Sequence, residues 1–147
     1  MTKEDYMRRA LELARQGSGY TNPNPMVGCV VVKDGRIISE GYHERYGEFH
    51  AERNALTRCT GDPTGADLYV TLEPCQMCAG AIVQARIPEV IIGCMNPKAG
   101  CAGSIYNLLQ EPAFNHQVSL FKGVLEEECS QMLKDFFPQS ADTVENL

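Results

Sequence analysis

At 147 residues the chain has the length of one domain, enough to bury a hydrophobic core without covalent staples. Its formal net charge of −6 excludes a grip on nucleic acid by overall electrostatics and leaves only a local basic patch for such a role. No apolar stretch of about 18 residues occurs, and the start MTKEDYMRRA is charged, so the expectation is a cytoplasmic protein with no membrane span.

In chain order, residues 4–16 (EDYMRRALELARQ) space Tyr6, Ala10, Leu11, Leu13 and Ala14 at helical intervals, and Gly17 ends the run. The stretch GYTNPNPMVG that follows is a loop of turn formers. Residues 27–33 (VGCVVVK) carry four β-branched valines in a nearly continuous apolar run, and the Asp34-Gly35 turn joins them to RIISEGY in a hairpin. HAERNALTRC (50–59) reads as a short helix, ADLYVTLE (66–73) as a buried strand and CAGAIVQAR (78–86) as a further helix. EVIIGCM (89–95) is another apolar strand. SIYNLLQ (104–110) reads as a helical turn, HQVSLFKG (116–123) as a strand and VLEEECSQMLKDFF (124–137) as a closing helix whose Leu125, Leu133, Phe136 and Phe137 form the core stripe. A hairpin followed by strands alternating with helices predicts an α/β domain, a mixed sheet flanked by helices, over 1–137, with 138–147 as a flexible tail.

Seven cysteines, an odd number, are scattered along the chain and are expected as thiols in a reducing compartment. Five of them (Cys29, Cys59, Cys94, Cys101, Cys129) sit in or beside apolar elements and read as packing residues. Cys75 and Cys78 differ. They stand three apart in EPCQMC at the start of a helix, so both sulfurs leave one face, and the helix terminus favours the thiolate that binds metal. Pro74 suits that start because it lacks an N–H that the first turn leaves unpaired.

A zinc ion held by two thiolates needs further ligands, and His50, which also opens a helix, is the leading candidate. Three ligands leave a fourth tetrahedral position for water, which ionises near neutral pH, and Glu52 is placed to take the water's proton and pass it to a leaving amine. On an ideal helix Glu52 points about 200° away from His50, so this role requires an irregular first turn. The competing reading is a closed structural site with His43, Cys59, Cys101 or His116 as fourth ligand.

His50-Ala51-Glu52 and Pro74-Cys75-Gln76-Met77-Cys78 match H-x-E followed by P-C-x-x-C, the known signature of zinc-dependent nucleobase deaminases, and nearly the whole chain resembles the cytidine/deoxycytidylate deaminase superfamily. The resemblance implies a three-layer α/β/α fold with a mixed five-stranded sheet, one zinc per chain on His50, Cys75 and Cys78, and Glu52 as catalytic residue. It also implies a homodimer or higher oligomer with residues 96–110 at the interface. The N-terminal half, with TNPNPMVGCVVVKDGRI and GYHERYGEFHAE, resembles the riboflavin-biosynthesis deaminases that act on a phosphoribosylated diaminopyrimidine. The C-terminal half, with NPKAGCAGSIYNLLQ and GVLEEECSQMLKDFF, resembles bacterial tRNA adenosine deaminases. The implied substrate is a nucleobase, either in a tRNA anticodon loop or in a small pyrimidine or purine.

Departures are informative. The riboflavin enzymes usually carry a longer insertion between the two cysteines, with a basic residue for the phosphate, where only Gln76 and Met77 stand here. The tRNA enzymes usually have Asn at the place of His43, an acidic residue at the place of Asn96 and a basic C-terminal end, which is acidic here. Asn24 and His43 match positions that face the pyrimidine in the riboflavin family, and an Asn amide reads an amidine edge by donating and accepting together. Asn96, Lys98, Phe114, Asn115 and the Ala51 backbone complete the candidate substrate contacts.

Overall fold

The structure, a computed structural model, describes residues 1–136. The expected tail 138–147 and Phe137 lie outside the described residues.

Helix α1 (Lys3–Arg15) starts in a reciprocal capping box, with Thr2 and Asp5 each accepting from the other's backbone N–H, and carries Arg15 in its last turn. Its apolar stripe, Tyr6, Met7, Ala10, Leu11, Leu13 and Ala14, is buried. Strands β1 (Gly28–Lys33) and β2 (Arg36–Tyr42) form the expected hairpin. Asp34 and Gly35 both have positive φ, 53° and 75°, as a tight two-residue turn demands. Then come α2 (Ala51–Arg58), β3 (Asp67–Leu72), α3 (Gln76–Gln84), β4 (Glu89–Cys94), β5 (Ser119–Lys122) and α4 (Glu126–Phe136).

The five strands lie in the order β2-β1-β3-β4-β5. β1 runs antiparallel to both neighbours, while β3, β4 and β5 are mutually parallel, so the sheet is mixed. Strand alternation sorts the core into two layers. Cys29, Val31, Leu68, Val70, Val90 and Ile92 face α2 and α3, and Val30, Val32, Tyr69 and Ile91 face α1 and α4. This is the three-layer α/β/α arrangement with a five-stranded mixed sheet that the sequence implied.

Two glycines set how closely helices approach the sheet. A Cβ on Gly28 would collide with the Ala10 carbonyl of α1. One on Gly41 would lie 2.5 Å from the Ala55 nitrogen and 2.7 Å from the Ala51 oxygen of α2. Ser39 reinforces the second approach by donating its hydroxyl to the Ala55 carbonyl, 2.5 Å away, and Asn54 donates to the Tyr42 carbonyl at 2.8 Å. The start of α2 is thereby fixed relative to β2, which places His50.

Three elements differ from expectation in extent. The helical turn expected over 104–110 is a 3-10 turn at Leu108–Gln110 only, because the Leu108 N–H, which a helix would pair with the Ser104 carbonyl, bonds the Cys101 carbonyl at 2.9 Å, and the Ile105 N–H bonds the Gly100 carbonyl at 3.0 Å. The last strand is four residues instead of eight, since Val118 N–H pairs with the Leu109 carbonyl and His116 with the Ile87 carbonyl before the ladder begins. α3 begins two residues earlier than expected, with Cys75 as its N-cap.

Candidate active site

His50 is the N-cap of α2 and Cys75 the N-cap of α3, both in extended backbone conformation, with φ/ψ of −70°/167° and −77°/178°. A serine or aspartate at an N-cap would fold back onto its own helix. Neither His50 nor Cys75 makes such a bond, so the imidazole and the thiol are free to meet each other. His50 Nδ1 lies 3.6 Å from Cys75 Sγ and 3.6 Å from Cys78 Sγ, and the three ligand atoms all fall within 4.8 Å of one another. Tetrahedral zinc, with Zn–S of about 2.3 Å and Zn–N of about 2.0–2.1 Å, sets a nitrogen-to-sulfur separation of roughly 3.5 Å. The donor set and its spacing therefore fit zinc.

Among the described residues no fourth histidine, cysteine or carboxylate belongs to this cluster. The candidates for a closed site are engaged elsewhere: Cys59 with the Gly61 carbonyl, Cys101 with the Ala99 carbonyl and His116 with the Ile87 carbonyl. The His43 ring stands edge-on to His50 at 5.1 Å between centroids, but its two nitrogens face Phe49 and Asn24.

Glu52 is the second residue of α2 and only 3% exposed. Because His50 is an extended cap outside the helix, the 200° separation of an ideal helix does not apply, and Glu52 lines the same cavity as His50 and Cys75. Burial, reinforced by the Cys75 charge, pushes the Glu52 carboxyl up to about 7. The Cys78 thiol, helped by His50, holds Cys75 below the ordinary thiol range, whereas Cys78 is pushed up by that same interaction and by burial. His50 is raised in turn, chiefly by its bond to Cys75.

A cavity of about 250 Å³ opens over these groups. Of the expected substrate contacts, Asn24, His43 and Asn96 line it. His43 is buried, with Nδ1 3.0 Å from the Phe49 carbonyl and Nε2 3.3 Å from Asn24 Nδ2. A carbonyl only accepts, so Nδ1 carries the hydrogen and Nε2 accepts from the Asn24 amide, which leaves Asn24 Oδ1 as an acceptor. Asn96 accepts from the Lys98 and Ala99 N–H groups with its own amide oxygen, both at 3.3 Å. Ala51, Lys98, Phe114 and Asn115 do not line this cavity. Ala51 is fully buried, Lys98 borders a neighbouring cleft with Gln76 and Tyr106, Phe114 is exposed, and Asn115 accepts from Arg86 at 2.7 Å. Pro23, Pro25, Val27, Leu72 and Ala99 form the apolar walls beside Glu73; all but Leu72 lie in segments the sequence brings to the site, but none of them is singled out there as a contact. The available signal for Glu73 was a carboxylate closing an otherwise apolar strand, directly before Pro74.

An imidazole and two thiols spaced for zinc, with a buried carboxylate alongside, equip a site for hydrolysis. Mounted on this sheet, they define the class: zinc-dependent deaminases, hydrolases of C–N bonds. The chain belongs to the cytidine and deoxycytidylate deaminase zinc-binding family, whose model matches residues 1–94. It is 47% identical over 143 residues to riboflavin biosynthesis protein RibD of Actinobacillus pleuropneumoniae, a match covering 93% of this chain and 37% of that protein. It is 42% identical over 147 residues to the tRNA-specific adenosine deaminase of Bacillus subtilis, covering 93% of this chain and 90% of that one. The crystal structure of a diaminohydroxyphosphoribosylaminopyrimidine deaminase/reductase from Thermotoga maritima superposes with a TM-score of 0.81 at 41% identity, covering 95% of this chain and 41% of the other. The chain thus spans well under half the length of the RibD-type proteins it matches.

Proposed function

We propose that this domain hydrolyses an exocyclic amine of a nucleobase to a carbonyl, consuming water and releasing ammonia. The observation that carries the reading is the ligand triad His50, Cys75 and Cys78 with Glu52 buried in the same cavity. The triad is the proposed zinc site. Zinc held there would supply Lewis acidity and a water that ionises near neutral pH. Glu52 accepts the proton of the attacking water and delivers it to the departing nitrogen, a role suited to a buried carboxylate that lines the same cavity as His50 and Cys75. His43 positions Asn24, whose free Oδ1 meets an N–H of the substrate.

Adenosine in a tRNA anticodon loop is the proposed substrate. The 42% identity to the tRNA-specific enzyme extends over 90% of that enzyme's length, and the two-residue spacer Gln76-Met77 leaves no insertion to carry a phosphate-binding residue. The Asn24 and His43 pair speaks for a second reading, a riboflavin-pathway diaminopyrimidine, whose ring N–H and amino groups suit an acceptor at Asn24. Met77, Ile105 and Tyr106 are 60%, 48% and 68% exposed near the α3 start, and we place a homodimer contact there, within residues 96–110 and the helix next to them.

The deciding experiment is an ammonia-release screen with an anticodon stem-loop, the phosphoribosyl diaminopyrimidine, guanine, cytosine and their nucleosides. Turnover of the stem-loop is expected. Turnover confined to small molecules would overturn the tRNA assignment, and turnover confined to the diaminopyrimidine would establish the second reading.

A further inference from the structure

The loop 95–107 joins β4 to the 3-10 turn with almost no regular structure of its own. Its interior is a single carboxylate. Glu73 is 3% exposed, and its Oε1 accepts from the Asn96 N–H at 2.9 Å and from the Ser104 hydroxyl. Its Oε2 accepts from the N–H groups of Ala102 and Ser104, both at 2.9 Å. Four donors from one loop thus satisfy the roughly four lone-pair sites of a carboxylate. No ion pair to Glu73 occurs among the described residues, and its bonding partners there are the loop's N–H and hydroxyl groups. The fit is close, because a Cβ on Gly100 would collide with the Glu73 carboxyl group.

The carboxylate also sits at a junction. Its own backbone N–H bonds the Cys94 carbonyl at 2.9 Å, tying it to the end of β4. The next residue, Pro74, accepts from the Cys101 N–H at 2.8 Å, and Cys75 follows as ligand and helix cap. Asn96 and Ala99 ride on the loop and line the cavity over the metal ligands, as does Glu73.

We propose that Glu73 is a positioning residue for the deamination reaction. Its carboxylate is the template on which loop 96–104 folds, and it thereby sets the distance of the Asn96 and Ala99 wall from the zinc ligands. The role rests on the deaminase reading of the site, but the anchoring can be tested apart from it. Glu73→Gln keeps the volume and replaces one acceptor oxygen by an NH2 group that confronts N–H donors. Gly100→Ala disturbs the same anchor from the loop side and leaves the charge in place.

In the zinc-loaded protein, amide exchange at Asn96, Ala102 and Ser104 in Glu73→Gln is expected to rise at least roughly ten-fold while that of the β3 and β4 amides holds. Zinc content should stay at one per chain. With the substrate that the wild type turns over, KM is expected to rise on the order of ten-fold with kcat changed less than about three-fold. Gly100→Ala should shift both readouts in the same direction. Wild-type exchange at those three amides in both variants overturns the proposal, as does a fall in kcat at unchanged KM. If exchange rises as expected but the wild type deaminates nothing in the panel, the anchor stands and the deaminase reading falls.

Discussion

Replacing Glu52 by Gln tests the proposed chemistry most directly, because the change removes proton transfer and little else. The side chain is 3% exposed and the amide has nearly the same volume, so no cavity opens and the packing of α2 is kept. Glu52 is not among the three ligand atoms of the metal cluster, so zinc should remain at one per chain. What is lost is a group that both takes and gives a proton, a function that contributes typically about 10²–10⁴ in rate. At 1.36 kcal/mol per factor of ten this raises the barrier by about 2.7–5.4 kcal/mol. The assay is enzyme-coupled ammonia release at saturating substrate, with zinc measured by plasma emission on the same sample. A Glu52→Gln protein with full zinc and a rate within about three-fold of wild type would refute the shuttle, because no carboxylate would then be needed at that place.

Three further outcomes follow from the geometry. Cys78→Ser is expected to lower zinc content well below one per chain, since it removes one of only three protein ligands, and zinc retained at wild-type affinity would contradict the ligand assignment. Gly41→Ala places a Cβ 2.5 Å from the α2 backbone; overpacking of about 1–3 kcal/mol should lower Tm by several degrees at about 2–4 °C per kcal/mol, measured by calorimetry with zinc in excess. In thiol alkylation at pH 8, Cys94 and Cys129, pushed up by burial to about 11 and about 12, carry a thiolate fraction of about 10⁻³ or less and should stay unlabelled in the native protein. Chelation should open Cys75, which is only partly buried, to the reagent, and mass spectrometry of the peptides reads both effects.

The centre of the sheet was legible because β1, β3 and β4 are apolar, buried runs bounded by turn formers. The hairpin turn was legible from Asp34-Gly35 for the same local reason. The grouping of His50, Cys75 and Cys78 was legible because a chelate has fixed chemistry and short spacing. What could not be read lies where a side chain far in sequence takes over backbone groups. Residues 104–110 are expected as a helical turn, yet the Leu108 N–H bonds the Cys101 carbonyl and the Ile105 N–H the Gly100 carbonyl, while Glu73, 31 positions before Ser104, holds Ser104 to the loop, and only Leu108–Gln110 turns. The cavity walls were hidden for a related reason. Pro23, Val27, Leu72 and Ala99 look like ordinary turn or core residues, and only the packing of the sheet brings them over the ligands.

The division between what holds the metal and what shapes the cavity bears on substrate choice. The ligand residues sit at helix starts anchored to the sheet: His50 through the close packing of α2 on Gly41 of β2, and Cys75 directly after β3. Those contacts demand the same backbone whatever the substrate, so they report the reaction class and say little about which base is bound. The groups that can discriminate lie instead on loops: Asn24 before β1, His43 after β2 and Asn96 after β4. The orientation of Asn24 depends on the His43 tautomer, which depends on the Phe49 carbonyl, one residue before the zinc ligand His50. The place of Asn96 depends on Glu73, two residues before the zinc ligand Cys75. Each of these loops is thereby fastened beside a proposed ligand, His43 through the Phe49 carbonyl and its ring against His50, and loop 96–104 through Glu73. Altering His43 or loop 96–104 is therefore expected to change which base is turned over while zinc content stays at one per chain, read by the ammonia-release screen and metal analysis of the same samples.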